Sequence, residues 1–541
     1  MSPRPRFTSK IDVIRNAVVG VLLRPLRWFS PATQFAIGFV ALSLLTTLVL
    51  TRSLQSYRTI VALAVVAAVY FVIWQFVKYR ATSVDLLIST ERAFALVGSA
   101  ILFETMVIRL SFLVTDAIAS QGTRVPFDDA SAWTFTIPFA AAALLVTMLL
   151  DRQLSFLTGV ITAVVAGLLA PRGIPASFYA FASCTAAAYG IKRYRERQSV
   201  TIGGLVVAVV NVATAVGITV LTHSRVTFFG LLISALFGFG GGLLTIVFAA
   251  GGVPINESLF GVLTDIRLLE LTNADLPVLS QLALRAPGTN QHSHAVGQLA
   301  EDACRAIGAN AILARVGALY HDIGKVAAPD HFVENQTGSN PHDRLRPLQS
   351  AKIITSHVTY GLRMAKEIGL PKRVADFIPQ HHGTRTLHFF LRKAEAEANG
   401  KAINEADFRY PGPKPQFKEA AILMLVDSAE AAARSLAQPN AENIRGIVSK
   451  IFDAVVSDGQ LDESQLTLHE LRQLREAIVN SLLAIYHPRI DYPGFNVPAP
   501  SSEHAPLRGT YASAADVPIN EAGEVEDEAV SWRGVSKTTH P

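Results

Sequence analysis

Eight apolar runs fill the first half of the chain, near 34–50, 59–77, 93–114, 132–150, 154–170, 176–190, 200–222 and 226–251, and they limit its fold more than any other feature. A helix needs about 17–25 apolar residues to cross hydrocarbon, and helices satisfy their own backbone there. Residues 34–251 are therefore expected to form an all-α membrane bundle of about seven or eight spans. The run 176–190 is the weakest, and neighbours separated only by "DRQ" or "PRGIP" predict tightly paired or re-entrant helices. Half of the residues are apolar, more than a soluble chain of this length carries.

The basic loops give the orientation. Arg4, Arg6, Lys10, Arg15, Arg24 and Arg27 precede the first run, Lys78, Arg80 and Arg92 follow the second, and "KRYRER" (Lys192 to Arg197) follows the sixth. Counted over eight spans, all lie on one side, which the positive-inside rule makes cytoplasmic. Residues 1–33 then form a basic cytoplasmic N-terminus, "SQGTRVPFDDA" (Ser120 to Ala130) falls outside, and the chain returns to the cytoplasm before residue 252. No small-residue cleavage site follows the first run cleanly, so it reads as an uncleaved span.

The net charge of +5 resides partly in these loops. No basic stripe interleaved with aromatics accompanies it, which argues against a nucleic-acid polymer as partner. Glu104 and Arg109 lie inside the third run, where charge is costly unless paired or turned to a polar cavity. They mark either a ligand pocket or, more simply, a buried ion pair or a snorkelling span end. "FGFGGG" (Phe237 to Gly242) permits close helix packing. Cys184 and Cys304 form no CxxC motif and read as core residues.

From 252 to 494 the sequence is mixed, charged and helical in period, enough for one sizeable domain. Residues 495–541 hold too few large apolar side chains to bury and read as a disordered tail. Nine of the fourteen histidines lie between His292 and His388. In "SAKIITSHVTYGLRMAKEIG" the stripe of Ile353, Ile354, Val358, Leu362, Ala365 and Ile368 includes His357, so that ring points inward. Gly369 ends this helix and Pro371 opens "PKRVADFIPQHHG", whose apolar face reaches His381, with His382 beside a Gly end. "AILARVGALYHD" carries an apolar face toward His321 and Asp322. "KEAAILMLVDSAEAAAR" places Asp427 one turn after Leu423 and Met424, and His292 opens a helix continuing through Val296, Leu299, Ala303 and Ile307. Inward His and Asp must be mutually satisfied or must bind something. A metal centre does both.

These residues resemble the HD-domain metal phosphohydrolases of the HDIG type: "HS", "HDIGK", a later helical His, "HHG" and a final helical Asp occur in order. With "PGTNQHS", "ARVGALYHDIGK", "ENQ", "QHHGT" and "YPGPKPQFKE" the chain is similar to the membrane-bound 7TM-HD family of bacterial cyclic di-AMP phosphodiesterases, over roughly 252–494. The resemblance implies a cytoplasmic helical HD domain on the inner membrane that hydrolyses cyclic di-AMP to pApA. It implies two divalent metal ions, with His292, His321, Asp322 and Asp427 on one, His357, His381 and His382 on the other, and Asp322 bridging. Nitrogen and oxygen donors without thiolate favour iron or manganese.

Two such ions would activate water and stabilise charge on the attacking and leaving oxygens. His321, Asp322 and Lys325 would be catalytic, with Lys325 placed to meet a substrate phosphate. Tyr410 and Pro411, in the Pro-rich loop that the resemblance assigns to the nucleotide pocket, would contact substrate, Tyr410 by stacking on a base. Glu334, Asn335 and Gln336 would contact substrate, support the ligands or only shape their loop. His294, His331, His342 and His388 match no ligand motif and read as surface or structural. Two departures stand out. Typical members carry a large extracytoplasmic domain after the first span, whereas "TRSLQSYR" alone separates the first two runs here. Pro379 would remove a helical hydrogen bond before His381 and kink that helix or mark its end. Other cyclic dinucleotides or nucleotides as substrates, a nucleotide-binding membrane receptor with a non-catalytic HD domain, and self-association stay open.

Overall fold

The computed structural model describes residues 29–51, 57–84, 86–123, 127–190, 198–222, 226–398 and 402–486. The basic residues before 29, the "KRYRER" loop and the expected tail at 495–541 lie outside them. The described residues are helical with no strand among them, so the fold is all-α. The chain divides between Arg267 and Leu268 into two compact units.

The first unit is built from α1 (Pro31–Thr51), α2 (Tyr57–Ser83), α3 (Thr90–Ala119), α4 (Ala141–Leu149), α5 (Arg152–Leu169), α6 (Gly173–Tyr189), α7 (Gln198–Thr222) and α8 (Phe228–Phe260). Among the described residues, seven helical stretches are long and apolar enough to cross a membrane: α1, α2, α3, the stretch Ala130–Leu149 that includes α4, α5, α7 and α8. The sixth apolar run, 176–190, forms the remaining helix, α6, of 17 residues. In α8 a Cβ on Gly238 would meet the Asn211 carbonyl oxygen at 2.8 Å, and one on Gly242 would meet Ala208 Cα at 2.4 Å. The glycine run thus lets the backbones of α7 and α8 touch, as small residues at spacing four do in membranes.

The two charges of α3 serve helix ends. Glu104 Oε2 accepts from the Ala142 N–H at 3.1 Å, at the start of α4. Arg109 Nη1 donates to the Leu50 carbonyl at 3.1 Å, near the end of α1. An anion at a helix N-terminus and a cation at a C-terminus both complement the backbone dipole. This differs from the pocket, ion pair or snorkel expected from sequence, because the partners are main-chain groups of other helices. A third charge, Arg80, bonds Asp151 Oδ2 at 2.9 Å, and Asp151 also caps α5 through the Gln153 N–H.

The second unit carries α9 (Pro287–Ile307), α10 (Ala311–Tyr320), α11 (Pro347–Ile368), α12 (Lys372–Ala375), α13 (Phe377–Gln380), α14 (His388–Glu397), α15 (Lys418–Ser435), α16 (Ala441–Ser457) and α17 (Leu468–Ile485). Proline at the first position opens α9 and α11, and Gly308 and Gly369 close them with positive φ; such residues suit those ends because proline lacks only an N–H that would be orphaned anyway. Leu423, Met424, Leu425 and Val426 of α15 are all buried, so α15 runs through the core. The helix expected over 371–383 is instead two four-residue pieces, α12 and α13, joined at Asp376. Pro379, inside α13, has no N–H to offer the Ala375 carbonyl four residues back, which leaves the last residue of α12 without that helical bond and matches the interruption at Asp376.

Candidate metal centre

The site is assembled from five helical segments. His292 comes from α9, His321 from the end of α10 with Asp322 after it, His357 from α11, His381 and His382 from the turn after α13, and Asp427 from α15. His292, His321, Asp322, His357, His381 and His382 are buried, and Asp427 is half-buried.

Three of the imidazoles share one arrangement. The Nδ1 atoms of His321, His357 and His381 face the carbonyls of Ala318, Ile354 and Phe377 at 2.7, 2.6 and 3.1 Å. A carbonyl only accepts, so each Nδ1 carries a proton and each Nε2 is the ring atom left for a cation. These Nε2 atoms converge on Asp322: His321 lies 3.1 Å from Oδ2, while His357 and His381 lie 3.4 and 3.7 Å from Oδ1. The three Nε2 atoms and Asp322 Oδ1 are buried without a hydrogen bond among the described residues. Leaving four such groups unsatisfied would cost several kcal/mol, and cations satisfy all of them at once. Donor atoms of Asp322, His357, His381 and His382 lie within 4.8 Å of one another, as do those of His292, His321 and Asp322, and those of His321, His381 and Asp427. Asp322 belongs to the first two groups, with one carboxylate oxygen toward each side. The residues fit divalent cations.

His292 is held differently. Its Nε2 lies 2.8 Å from Asp427 Oδ1 and its Nδ1 2.6 Å from Glu430 Oε2. Burial opposes its charge, but the bonds to Asp427 and Glu430 prevail and raise it to about 10. Burial likewise opposes His321, which Asp322 and Asp427 lift to about 9. Burial and neighbouring imidazoles push His381 down to about 3 and His382 well down. Asp322 is held well below the usual carboxylate range, its burial outweighed by His321 and Lys325.

Lys325 is placed differently from the sequence expectation of an ammonium directed at substrate. Its Nζ lies 2.8 Å from Asp322 Oδ2 and 2.9 Å from Glu334 Oε1. A nearly buried ammonium must be paired, and here two carboxylates hold it. Glu334 in turn accepts from Thr289 Oγ1 at 2.8 Å, and Asn335 Oδ1 accepts from the Thr289 N–H at 3.1 Å, fixing the "ENQ" turn to the start of α9. Tyr410 also departs from expectation. It is 4% exposed and stacks on His382, ring centroids 4.1 Å apart and planes at 21°. That face braces a candidate ligand. Pro411, next to Tyr410 in sequence, is exposed. His342 is buried against His331 and Phe390, His331 and His388 are half-buried, and His294 is exposed.

Two supports were not singled out in the sequence. Glu430 follows Asp427 by three residues on the same helix face, a spacing that places both beside one ring. Gln460, fully buried between α16 and α17, accepts from the Thr384 N–H at 3.0 Å and donates to Thr384 Oγ1 at 3.0 Å. It supports the turn after His382, where Gly383 has φ 55° and a Cβ would meet Gln460 Oε1 at 2.4 Å. No local pattern announces it.

Residues 60–264 match the family model described as a 7TM receptor with intracellular HD hydrolase, and residues 289–432 match the HD domain. With its apolar helices, the chain is a multi-pass membrane protein. It is 38% identical over 66% of its length to the cyclic-di-AMP phosphodiesterase PgpH of Bacillus subtilis, covering 51% of that protein. It is also 38% identical over 66% of its length to the protein of the same name from Listeria monocytogenes, covering 50% of it. The chain thus spans about half the length of these curated relatives. The crystal structure of the L. monocytogenes PgpH HD domain in complex with cyclic-di-AMP aligns at 45% identity, covering 40% of this chain and 100% of that one, with a TM-score of 0.38.

Proposed function

We infer, since this chain belongs to the HD superfamily and carries its HD domain behind a membrane region of the 7TM type, that it is a metal-dependent phosphodiesterase opening cyclic di-AMP to linear pApA at the cytoplasmic face of a membrane. The observation that carries the chemistry is the set of buried Nε2 atoms converging on Asp322. The choice of substrate is supported by the two relatives named for that activity at 38% identity. The cytoplasmic placement is supported by the basic residues flanking the apolar runs.

In this reading His292, His321, Asp322 and Asp427 hold one ion and His357, His381 and His382 the other, with Asp322 shared. Imidazole and carboxylate donors favour iron or manganese. Divalent ions held by these residues would supply Lewis acidity toward phosphoryl oxygens and would lower the pKa of water to near neutrality. The chain itself does the orienting. Carbonyl-held Nδ1 protons aim three imidazoles, Lys325 keeps Asp322 ionised and fixes Oδ2, and Tyr410 keeps His382 from rotating. Pro411, exposed and next to Tyr410 in sequence, would border the nucleotide.

The test uses the full chain purified in detergent, stripped of metal and reloaded separately with Fe(II), Mn(II) or Zn(II). Cyclic di-AMP and cyclic di-GMP are offered and products separated by chromatography. Conversion of cyclic di-AMP to pApA by the iron or manganese form, lost in the His321→Ala and Asp322→Ala variants, is the expected result. Binding of cyclic di-AMP without turnover in any loaded form would instead establish a receptor.

A further inference from the structure

His321, His357 and His381 are each held by a carbonyl three or four residues back in their own segment, but His292 in α9 is held by a side chain from another helix. Its Nδ1 faces Glu430 Oε2 at 2.6 Å, across 138 residues of sequence. Glu430 is 2% exposed. Its other oxygen, Oε1, accepts from Arg434 Nε at 3.1 Å and also meets Arg434 Nη2. Tyr486, just past the end of α17, stands near enough to Arg434 to act on its charge. A chain of contacts therefore runs from His292 through Glu430 to Arg434.

The chemistry of an imidazole decides what this does. For Nε2 of His292 to offer its lone pair beside Asp427, the ring proton must sit on Nδ1, and the group standing there is Glu430. A carboxylate in that position fixes the tautomer, holds the ring plane and makes the opposite nitrogen a stronger donor than a carbonyl partner would. We propose that Glu430, held by Arg434, is the positioning residue for His292 and sets the affinity of the ion on the His292 and Asp427 side of the centre. This inference rests on the metal reading given above. It sets His292 apart within the centre: His321, His357 and His381 are oriented by backbone carbonyls, whereas His292 is oriented by an anion that a single substitution removes.

The experiment compares the full-length wild type with Glu430→Ala and Glu430→Gln, each purified in detergent and metal-free. Mn(II) is titrated against a competing chelator while the electron paramagnetic resonance spectrum reports coupled pairs and isolated ions. The wild type is expected to take up two ions as a coupled pair. In Glu430→Ala one ion should keep its affinity while the other weakens by about 10–100-fold, the loss typical for removing such an outer partner, and the spectrum should shift to isolated Mn(II). Glu430→Gln, which keeps an acceptor oxygen without the charge, should fall between them, and it decides the matter should the alanine variant not fold. Unchanged affinity for both ions in a folded variant overturns the proposal, even if thermal melting of the metal-free form drops, because lowered melting alone is what a merely structural role gives. A wild type that takes up no Mn(II), Fe(II) or Zn(II) overturns the metal reading itself, and the proposal with it.

Discussion

A Cβ atom on Gly324 would lie 1.9 Å from the carbonyl oxygen of His357 and 2.6 Å from the Gly361 nitrogen. The turn carrying Asp322 is thus pressed directly onto the backbone of α11, and this contact brings His357 Nε2 to 3.4 Å from Asp322 Oδ1. Gly324→Ala must push the two segments apart. We expect a loss of about 1–3 kcal/mol, the usual cost of overpacking, together with weaker metal binding. Urea denaturation of metal-free protein measures the first, and a variant as stable as wild type would contradict the contact.

Lys325 neutralises two carboxylates that are almost wholly enclosed. Lys325→Met removes the ammonium that both share and should cost about 3–5 kcal/mol, the range for breaking one side of a buried ion pair. Cations bound beside Asp322 would restore part of the lost positive charge. The variant should therefore be rescued by Mn(II) more than wild type is stabilised by it, as read by melting temperature with and without metal. Equal metal-induced shifts would place the ions away from Asp322.

Metal uptake should release protons. Burial disfavours charge on His292 and His321, but their carboxylate partners hold them at about 10 and about 9, so both are charged at neutral pH before ions arrive. His357, His381 and His382 are shifted down, chiefly by burial, and are already neutral. Coordination by His292 and His321 then displaces about two protons, and apparent affinity should rise steeply between pH 6 and 8. The raised values also stabilise the metal-free fold. That contribution is fully present below the unfolded value near 6.5 and is lost as pH climbs through 9 and 10. Calorimetry in buffers of differing ionisation enthalpy counts the protons, and a count of zero would show that both rings are already neutral before metal binds.

The stacked pair of Tyr410 and His382 gives a side-chain test. Tyr410→Ala should cost about 3–5 kcal/mol, as truncation of a buried aromatic does, and should loosen metal at the histidine pair. Tyr410→Phe keeps the ring on His382 and should cost far less. Melting temperatures and metal content measured side by side separate the two. Equal losses in both variants would move the importance from the ring to the hydroxyl.

Much of this site could be read from spacing. His357 falls within the apolar stripe of its helix and Asp427 follows one turn after Leu423 and Met424, so their inward direction follows from helical period alone. The all-α character follows from the same periodicity. What escaped is long-range. Glu430 meets His292 across 138 residues, and Lys325 looked free because Glu334, its second partner, stands on a later turn. Tyr410 looked like a platform for a base because nothing local shows that His382 covers its ring. Glu104 and Arg109 suggested a pocket or a pair, whereas their partners are main-chain groups that no residue type reveals.

Gln460 lies beyond residue 432, where the match to the HD family model ends, yet it holds both the N–H and the hydroxyl of Thr384 behind the histidine pair. Cutting the gene at the edge of that match would carry off every candidate donor and abandon the strut beneath two of them. The smallest transplantable catalytic piece therefore runs on past Gln460, and grafts or chimaeras joined upstream of it should inherit a complete set of ligands in a slack cradle.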